Sequence, residues 1–572
     1  MKKNKKINFT SPTILIIIIN LIMFILVNLL ITPKYEQVDD FMIYNLYSGL
    51  DGSHNANGIY MNPILCFILS IFYKINPLVN WHTIFLLIIL ILSLTIIGKI
   101  IYTNNKTKKT LVLYIISLSI IYPMFLLMIQ YTSVAALAFI ASFIEFIDII
   151  QKEKKSKKSY FVMYIMFIIG LFIREQSFLI ILPIYILYII YMFIDYKKEK
   201  ININQLKKFL LIFLLLIFIM ITIHYLTFAF YMQSEINKEY MKFNKIRTIF
   251  HDLSKIKYNE NREVFEKNNW SLNDYCLFYT FNFGDENIFN IESLTQILKN
   301  NNLKIEFLNL NYSNILLNLK DKLFTFYLLD FFLIIVLFVY EYKNSDKYKK
   351  IKLVFLACFP IVLNILFIAI NRPVYRVVMP EYVITIFLLI YFLDNKEYEE
   401  KINISKKNKI FEIICLIIIS IINIQMLNEI LSFDYDKNDY NQYKELIEYT
   451  NNHKENMYLY TVPSLQDRYL VYNIYEMPPE ESFSNLRIMG GWDMYTENYY
   501  KCKERYNLNG NFLDVLKENV YVIDGEVKFF NMFQNDYIER IKIFIKEHYN
   551  IEVEYKKVKD FENLHIYKFV SE

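Results

Sequence analysis

A chain of 572 residues that is 55% hydrophobic and 17% aromatic, with mean hydropathy +0.25, is too apolar for a soluble protein and reads as a polytopic membrane protein. Its 62 basic and 57 acidic residues leave a net charge of +5, which identifies no partner, and nucleic acid is not expected as one. Five scattered cysteines (Cys66, Cys276, Cys358, Cys415, Cys502) match neither a metal-ligand spacing nor a disulfide framework.

The chain opens on MKKNKK and runs into an apolar stretch at residues 12 to 32. This stretch is long enough to span, has no small-residue cleavage site, and reads as a retained first span. Further runs of spanning length lie near residues 80 to 101, 110 to 128, 130 to 150, 159 to 173, 177 to 195, 206 to 229, 323 to 340, 351 to 370, 377 to 393 and 410 to 428, making eleven. A shorter run from Pro63 to Ile75, flanked by Pro77 and interrupted by Lys74, is the exception. If it does not cross, the Lys-bearing stretches 99 to 109, 152 to 158, 197 to 208, 343 to 352 and 396 to 409 all join the N-terminus in the cytoplasm, as the positive-inside rule requires. If it crosses, all five are translocated. The run is therefore expected to be a juxtamembrane helix.

In that register the larger outward segments are residues 33 to 79, Tyr231 to Lys322, and the tail from Leu431 to Glu572. Residues 1 to 430 form the membrane domain and 431 to 572 a small α/β domain. In the tail, strand-like runs (Met457 to Val462, Val520 to Asp524, Ile551 to Val558, His565 to Val570) alternate with helical ones (Asp514 to Glu518, Tyr537 to Glu547).

Chemistry-bearing residues collect on the outward side. Asp39 and Asp40 follow directly on the first span, in KYEQVDDFMIYNLYSG. The nine arginines (Arg174, Arg247, Arg262, Arg372, Arg376, Arg468, Arg487, Arg505, Arg540) all fall outside, while the cytoplasmic loops use lysine alone. Arg174, Arg372 and Arg376 stand at span mouths, where a guanidinium fork suits phosphate or carboxylate; the alternative is that they snorkel or pair with acids such as Glu175 and Glu381. Tyr44, Gln130, Tyr131, Glu175 and Tyr375, on the same outward side, are candidates to line a substrate site. A divalent cation, if one is used, would draw on Asp39, Asp40 and His54, although DGSHNANG around His54 spells a surface turn. GGWD at 490 to 493 is a tight turn whose Trp492 would suit sugar stacking, and His224 reads as a packing residue. Asp330, inside a span, faces a polar cavity or sits protonated among aromatics.

A first span followed by an acid-opened outer loop with a short non-crossing helix resembles the GT-C superfamily of membrane glycosyltransferases. LFIREQSFLIILP (171 to 183) and NRPVYRVVMPEYVI (371 to 384) are similar to stretches of its protein O-mannosyltransferase-like and aminoarabinose-transferase-like bacterial members. The resemblance covers residues 12 to 430; MGGWDMYT (489 to 496) looks like a segment of uncharacterised bacterial relatives. It implies a polyprenyl-phosphate sugar donor, a hydroxyl acceptor, Asp39 or Asp40 as base, and phosphate binding by Arg174 with Arg372 or Arg376. The chemistry asks for the same groups: a carboxylate to take the acceptor proton, and positive charge where the leaving phosphate gains electrons. An inverting single displacement is expected. An O-antigen polymerase or ligase would not need the acid pair, and a transporter would be expected to show paired, broken spans.

Overall fold

The computed structural model describes residues 11–572 except 37, 153–155, 254–255, 301, 306–307, 309–311, 325, 371, 394–420, 422–424, 426–436, 462–473 and 526–535. In chain order its first nine helices are α1 (Pro12–Leu30), α2 (Val38–Ser48), α3 (Pro63–Ile75), α4 (Trp81–Asn104), α5 (Lys108–Leu127), α6 (Tyr131–Gln151), α7 (Lys157–Arg174), α8 (Ser177–Lys197) and α9 (Ile203–Tyr231). Their starts are local: Ser11, Asn62, Asn80, Thr107 and Gln130 each accept a hydrogen bond from a first-turn backbone N–H, which ends the preceding loop. The centre of the bundle is α6, buried from Tyr131 to Ile150. Ala135, Ala136, Ala138 and Ala141 on it keep its neighbours close, and Gly170 of α7 leaves room for the ring of Phe139.

An extramembrane segment follows, with α10 (Glu235–Thr248), a π-helical turn (Ile249–Leu253), α11 (Tyr258–Lys267), α12 (Leu272–Tyr279) and α13 (Ile291–Lys299), and then α14 (Tyr312–Phe324). The chain then returns to the bundle in α15 (Leu328–Asn344), α16 (Lys347–Ala369) and α17 (Tyr375–Tyr391). Seven helices, α1, α4, α5, α6, α8, α9 and α16, are long and apolar enough to cross a membrane, and the protein is a polytopic helical membrane protein. Three more of the eleven expected runs are the shorter or more charged α7, α15 and α17. The run at 410 to 428 falls almost wholly outside the described residues, and MKKNKK, Cys415, Arg468 and the lysines of 396 to 409 lie outside them altogether.

The two ends of the bundle differ in chemistry. At one end lysines tie the helix termini together: Lys152 to Asn104 at 2.5 Å, Lys200 to Asp346 at 2.9 Å, Lys352 to Asp195 at 2.5 Å, and Lys349 to the Phe392 carbonyl at 2.8 Å. The other end carries Arg174, Arg372 and Arg376. Both ends of α3 stay there: the Asn62 N–H donates to the Phe172 carbonyl at 2.9 Å, and the Asn76 carbonyl accepts from Trp81, the first residue of α4, at 3.0 Å. At thirteen residues, α3 is about 20 Å long, against about 30 Å of hydrocarbon. One face (Leu65, Cys66, Leu69, Tyr73) is buried and the other (Ile64, Phe67, Ile71, Ile75) is exposed, the pattern of a helix lying in an interface.

The tail supplies α18 (Lys437–Asn451), β1 (Met457–Tyr460), β2 (Leu486–Ile488), α19 (Glu497–Arg505), a 3₁₀ turn (Phe512–Leu516), β3 (Val520–Gly525), α20 (Tyr537–Tyr549), β4 (Val553–Phe561) and β5 (Leu564–Ser571). The strands form one sheet in the order β2-β1-β3-β5-β4, parallel from β2 to β3 and antiparallel from β3 to β4. Residues 235–299 and one face of the tail share an apolar core, in which Trp270, Phe278 and Phe289 from the loop meet Phe512, Ile541 and Phe544 from the tail, while the tail's other face, with Tyr458, Ile523 and Ile566, packs into the core of the bundle. The two are one extramembrane body, seated on the arginine end.

Candidate functional site

Adjacent residues on a helix project about 100° apart, so Asp39 and Asp40 of α2 are sent to different places. Asp40 turns inward and is fully buried. Its Oδ1 accepts from the Tyr131 backbone N–H at 3.0 Å and lies 3.0 Å from His82 Nε2, while His82 Nδ1 is 2.5 Å from the Tyr47 hydroxyl. Burial raises the Asp40 pKa, against the bonds from His82 and Tyr131. This carboxylate fastens α2 to the starts of α4 and α6, and is sealed from any acceptor. Asp39 turns outward, its side chain 24% exposed, with Oδ2 3.9 Å from Arg376 Nη2. Arg376 Nη1 also donates to Glu36 Oε2 at 3.4 Å. Burial raises the Glu36 pKa and Arg376 opposes it.

Three further guanidiniums surround this pair. Arg174, closing α7, donates to the Tyr131 hydroxyl and lies 4.8 Å from the Tyr131 ring centroid and 5.5 Å from that of Tyr60. Arg372, between α16 and α17, reaches Asp252 of the π-helical turn at 3.9 Å. Arg247 of α10 contacts the same carboxylate at 3.5 Å and the Tyr60 hydroxyl at 3.4 Å. Burial lowers the Arg372 pKa, Asp252 opposes, and the charges of Arg376 and Arg174 act with burial; the three mouth arginines share one field. Four guanidiniums thus face three carboxylates, Glu36, Asp39 and Asp252, and among the described residues Arg174 has no carboxylate partner. A mouth with a partly exposed carboxylate and surplus guanidinium charge can take a proton and hold an anion.

The tail reaches the same place. Trp492 stands edge-on to Tyr60, ring centroids 5.3 Å apart. It is delivered by the Gly490–Gly491 turn after β2, where the Gly284 N–H donates to the Met489 carbonyl at 2.7 Å and a Cβ on Gly490 would run into the Phe281 carbonyl and the Phe283 N–H. Only glycine lets the two backbones approach this closely.

The other sequence candidates separate. Tyr131 is at the centre, bonded to Arg174. Tyr44 is buried against His82 and Phe41, away from solvent. Gln130 is buried and caps α6 through its Oε1. Tyr375 stacks on Phe326 at 4.2 Å. Glu175 turns away from Arg174 and pairs with His224 at 2.9 Å; His224 is therefore half-exposed and paired, not packed. Glu381 is buried with neither oxygen bonded among the described residues and does not meet Arg376. Asp330 is buried near Tyr327 and Tyr382, its Oδ1 unbonded among the described residues. Asp39, Asp40 and His54, the residues a cation would have drawn on, do not converge, and His54 sits in its surface turn: its Nδ1 is 3.1 Å from the Tyr47 carbonyl and its Nε2 faces Glu480 at 3.8 Å, while His82 takes the place beside Asp40.

Sequence reading missed Glu36, Tyr60, His82, Arg247 and Asp252. Glu36 stood inside the quoted KYEQVDD stretch and Arg247 among the nine arginines, so both were within reach; Tyr60 and Asp252 carry no local signal.

No family model matches the chain, and no solved structure matches it. Protein HflC of Buchnera aphidicola subsp. Baizongia pistaciae (strain Bp) is 33% identical over 82 residues, which are 14% of this chain and 25% of that protein. The chain thus spans about a quarter of the length of that relative, a partial similarity that leaves the family open.

Proposed function

We propose that the protein is a GT-C-type glycosyltransferase of the cell membrane, with eleven spans, a cytoplasmic N-terminus and an extracytoplasmic tail. It moves a sugar from a polyprenyl phosphate to a hydroxyl acceptor on the outer face. The observation that carries this reading is Asp39, partly open to solvent, standing 3.9 Å from Arg376 in the mouth shared with Arg174 and Arg372. A polyprenyl tail keeps its phosphate at headgroup depth, where these guanidiniums meet it without full desolvation. The acceptor oxygen attacks the anomeric carbon as its proton passes to the Asp39 carboxylate. The bond from that carbon to the phosphate oxygen breaks on the opposite face, and the electron pair leaves with the phosphate, held by Arg174 and Arg372. Configuration inverts. Asp40 takes no proton; through His82 and the Tyr131 N–H it holds α2 so that Asp39 faces the arginines.

The test is conversion of a panel of polyprenyl-phosphate sugars to free polyprenyl phosphate by the protein in vesicles. Asp39→Asn is expected to slow it about 100- to 10,000-fold, and Arg174→Ala to weaken donor use. Folded Asp39→Asn protein with full activity removes the assignment of the base. Absence of turnover by the wild type across the panel removes the reading.

A further inference from the structure

Away from the membrane, where α12 of the large loop meets α20 of the tail, Asp274, Glu547 and His548 converge: one ligand atom from each lies within 4.8 Å of the others. We propose that these three side chains bind a zinc-type divalent cation that clasps the loop to the tail.

The donor set is one imidazole and two carboxylates, a combination that suits zinc and leaves a fourth position for water. His548 Nε2 stands 2.9 and 3.0 Å from the two oxygens of Asp274. Atoms about 2.1 Å from a zinc ion at angles between 90° and the tetrahedral value lie roughly 3.0–3.4 Å apart, so His548 and Asp274 are already close to chelating distance. Glu547 is exposed, and its flexible stem can close the rest. Ser271 sets both acids: its N–H donates to Asp274 Oδ2 at 2.7 Å and its hydroxyl to Glu547 Oε2 at 2.9 Å. Hydrogen bonds of this kind orient metal ligands and keep their remaining lone pairs aimed inward. Asp274 is fully buried and His548 nearly so, with side chains 0% and 11% exposed, so the pair is held rigidly before an ion arrives. Two carboxylates around one imidazole also leave negative charge that a single protonated histidine does not cancel. The segments joined are far apart in sequence, and a cation there adds a cross-link between the parts that build the mouth: α10 with Arg247, and the tail turn with Trp492.

The experiment uses the full chain in detergent, stripped with a chelator and titrated with zinc chloride. Wild-type protein is expected to retain one zinc per chain after desalting, and its thermal unfolding midpoint to rise with zinc concentration. Glu547→Gln keeps the His548–Asp274 bond and the Ser271 contact while removing a ligand charge. It is expected to fold, to keep the metal-free midpoint, and to lose zinc retention and the zinc-dependent rise. His548→Ala is expected to lose both as well. Equal zinc retention by wild type and Glu547→Gln, or no zinc-dependent rise in the wild type, overturns the site, and a midpoint governed only by His548 and Asp274 assigns the cluster to a plain ion pair. None of these outcomes bears on glycosyl transfer, which is read separately.

Discussion

Arg376 is the hinge of the electrostatics at the mouth, because it meets Glu36 at 3.4 Å and Asp39 at 3.9 Å with its own side chain only 14% exposed. Removing one member of a largely buried ion pair leaves the other charge desolvated, at a cost of about 3 kcal/mol or more, whereas removing both is far milder. Arg376→Met is therefore expected to destabilise the protein by about 3 kcal/mol, and Glu36→Gln added to it to recover much of the loss. Thermal unfolding of the two single variants and the double variant checks this; additive losses would show that Glu36 and Arg376 do not act as a pair. The same residues show how far a sequence can be read at this scale. The arginines were legible because nine among 62 basic residues made each one stand out, and the acid pair because it sat against a span. Which acid faces out was not legible. The 100° step between neighbours says only that they diverge, and it takes His82 and the Tyr131 N–H, both brought in by tertiary packing, to draw Asp40 inward.

At the scale of elements, four tail strands fall where the alternation of apolar residues put them, as β1, β3, β4 and β5, with Val462 of the first run outside the described residues. β2 escaped because Leu486–Ile488 is three residues long with Arg487 in its middle. α18 and α19 escaped because their apolar positions are few and their polar ones carry turn and cap chemistry. The joint between α2's loop and α19 is a matter of tertiary contact alone: Asp51 accepts from Asn498, Asn55 donates to Asn498 Oδ1 at 2.9 Å, and the Phe483 N–H donates to the Leu50 carbonyl at 2.8 Å. Burial pushes the Asp51 pKa up to about 6, against the pull of Asn498, Ser53 and Arg487; Asp493 and Cys502 line the same pocket. A carboxyl whose folded pKa lies above its unfolded value binds more protons when folded, so its share of stability is fully present below the unfolded pKa, near 4, and is lost as pH rises through about 6. The joint is therefore expected to resist proteolysis better at pH 5 than at pH 7.5, and Asp51→Asn to reduce that difference. An unchanged pH dependence in Asp51→Asn protein would place the titration elsewhere.

For the whole molecule, the distribution of charge and the path of the chain make one argument. Lysines gather at one end of the bundle and the mouth arginines at the other, and the first loop, the large loop and the tail are all built onto the arginine end. This division depends on α3 returning to the end it starts from: were it to cross, every later helix would run in the opposite sense and the body formed by residues 235–299 and the tail could not meet Asp39. About 20 Å of helix, exposed on one face to Ile64, Phe67 and Ile71, has neither the length nor the uniform apolarity of a span. Lysine-rich ends stay on the cytoplasmic side, so a reporter fused after Leu78 is expected to read as external and one fused after Lys106 as cytoplasmic. Because a crossing α3 would move Asp39 and Arg174 to opposite sides of the membrane, which their common mouth forbids, a cytoplasmic signal after Leu78 would invert the bundle, place the mouth in the cytoplasm and overturn the outward-facing reading. Agreement of both fusions would fix the compartment in which the mouth meets its donor, since every carboxylate and guanidinium in it belongs to segments joined beyond α1 on the same side as α3.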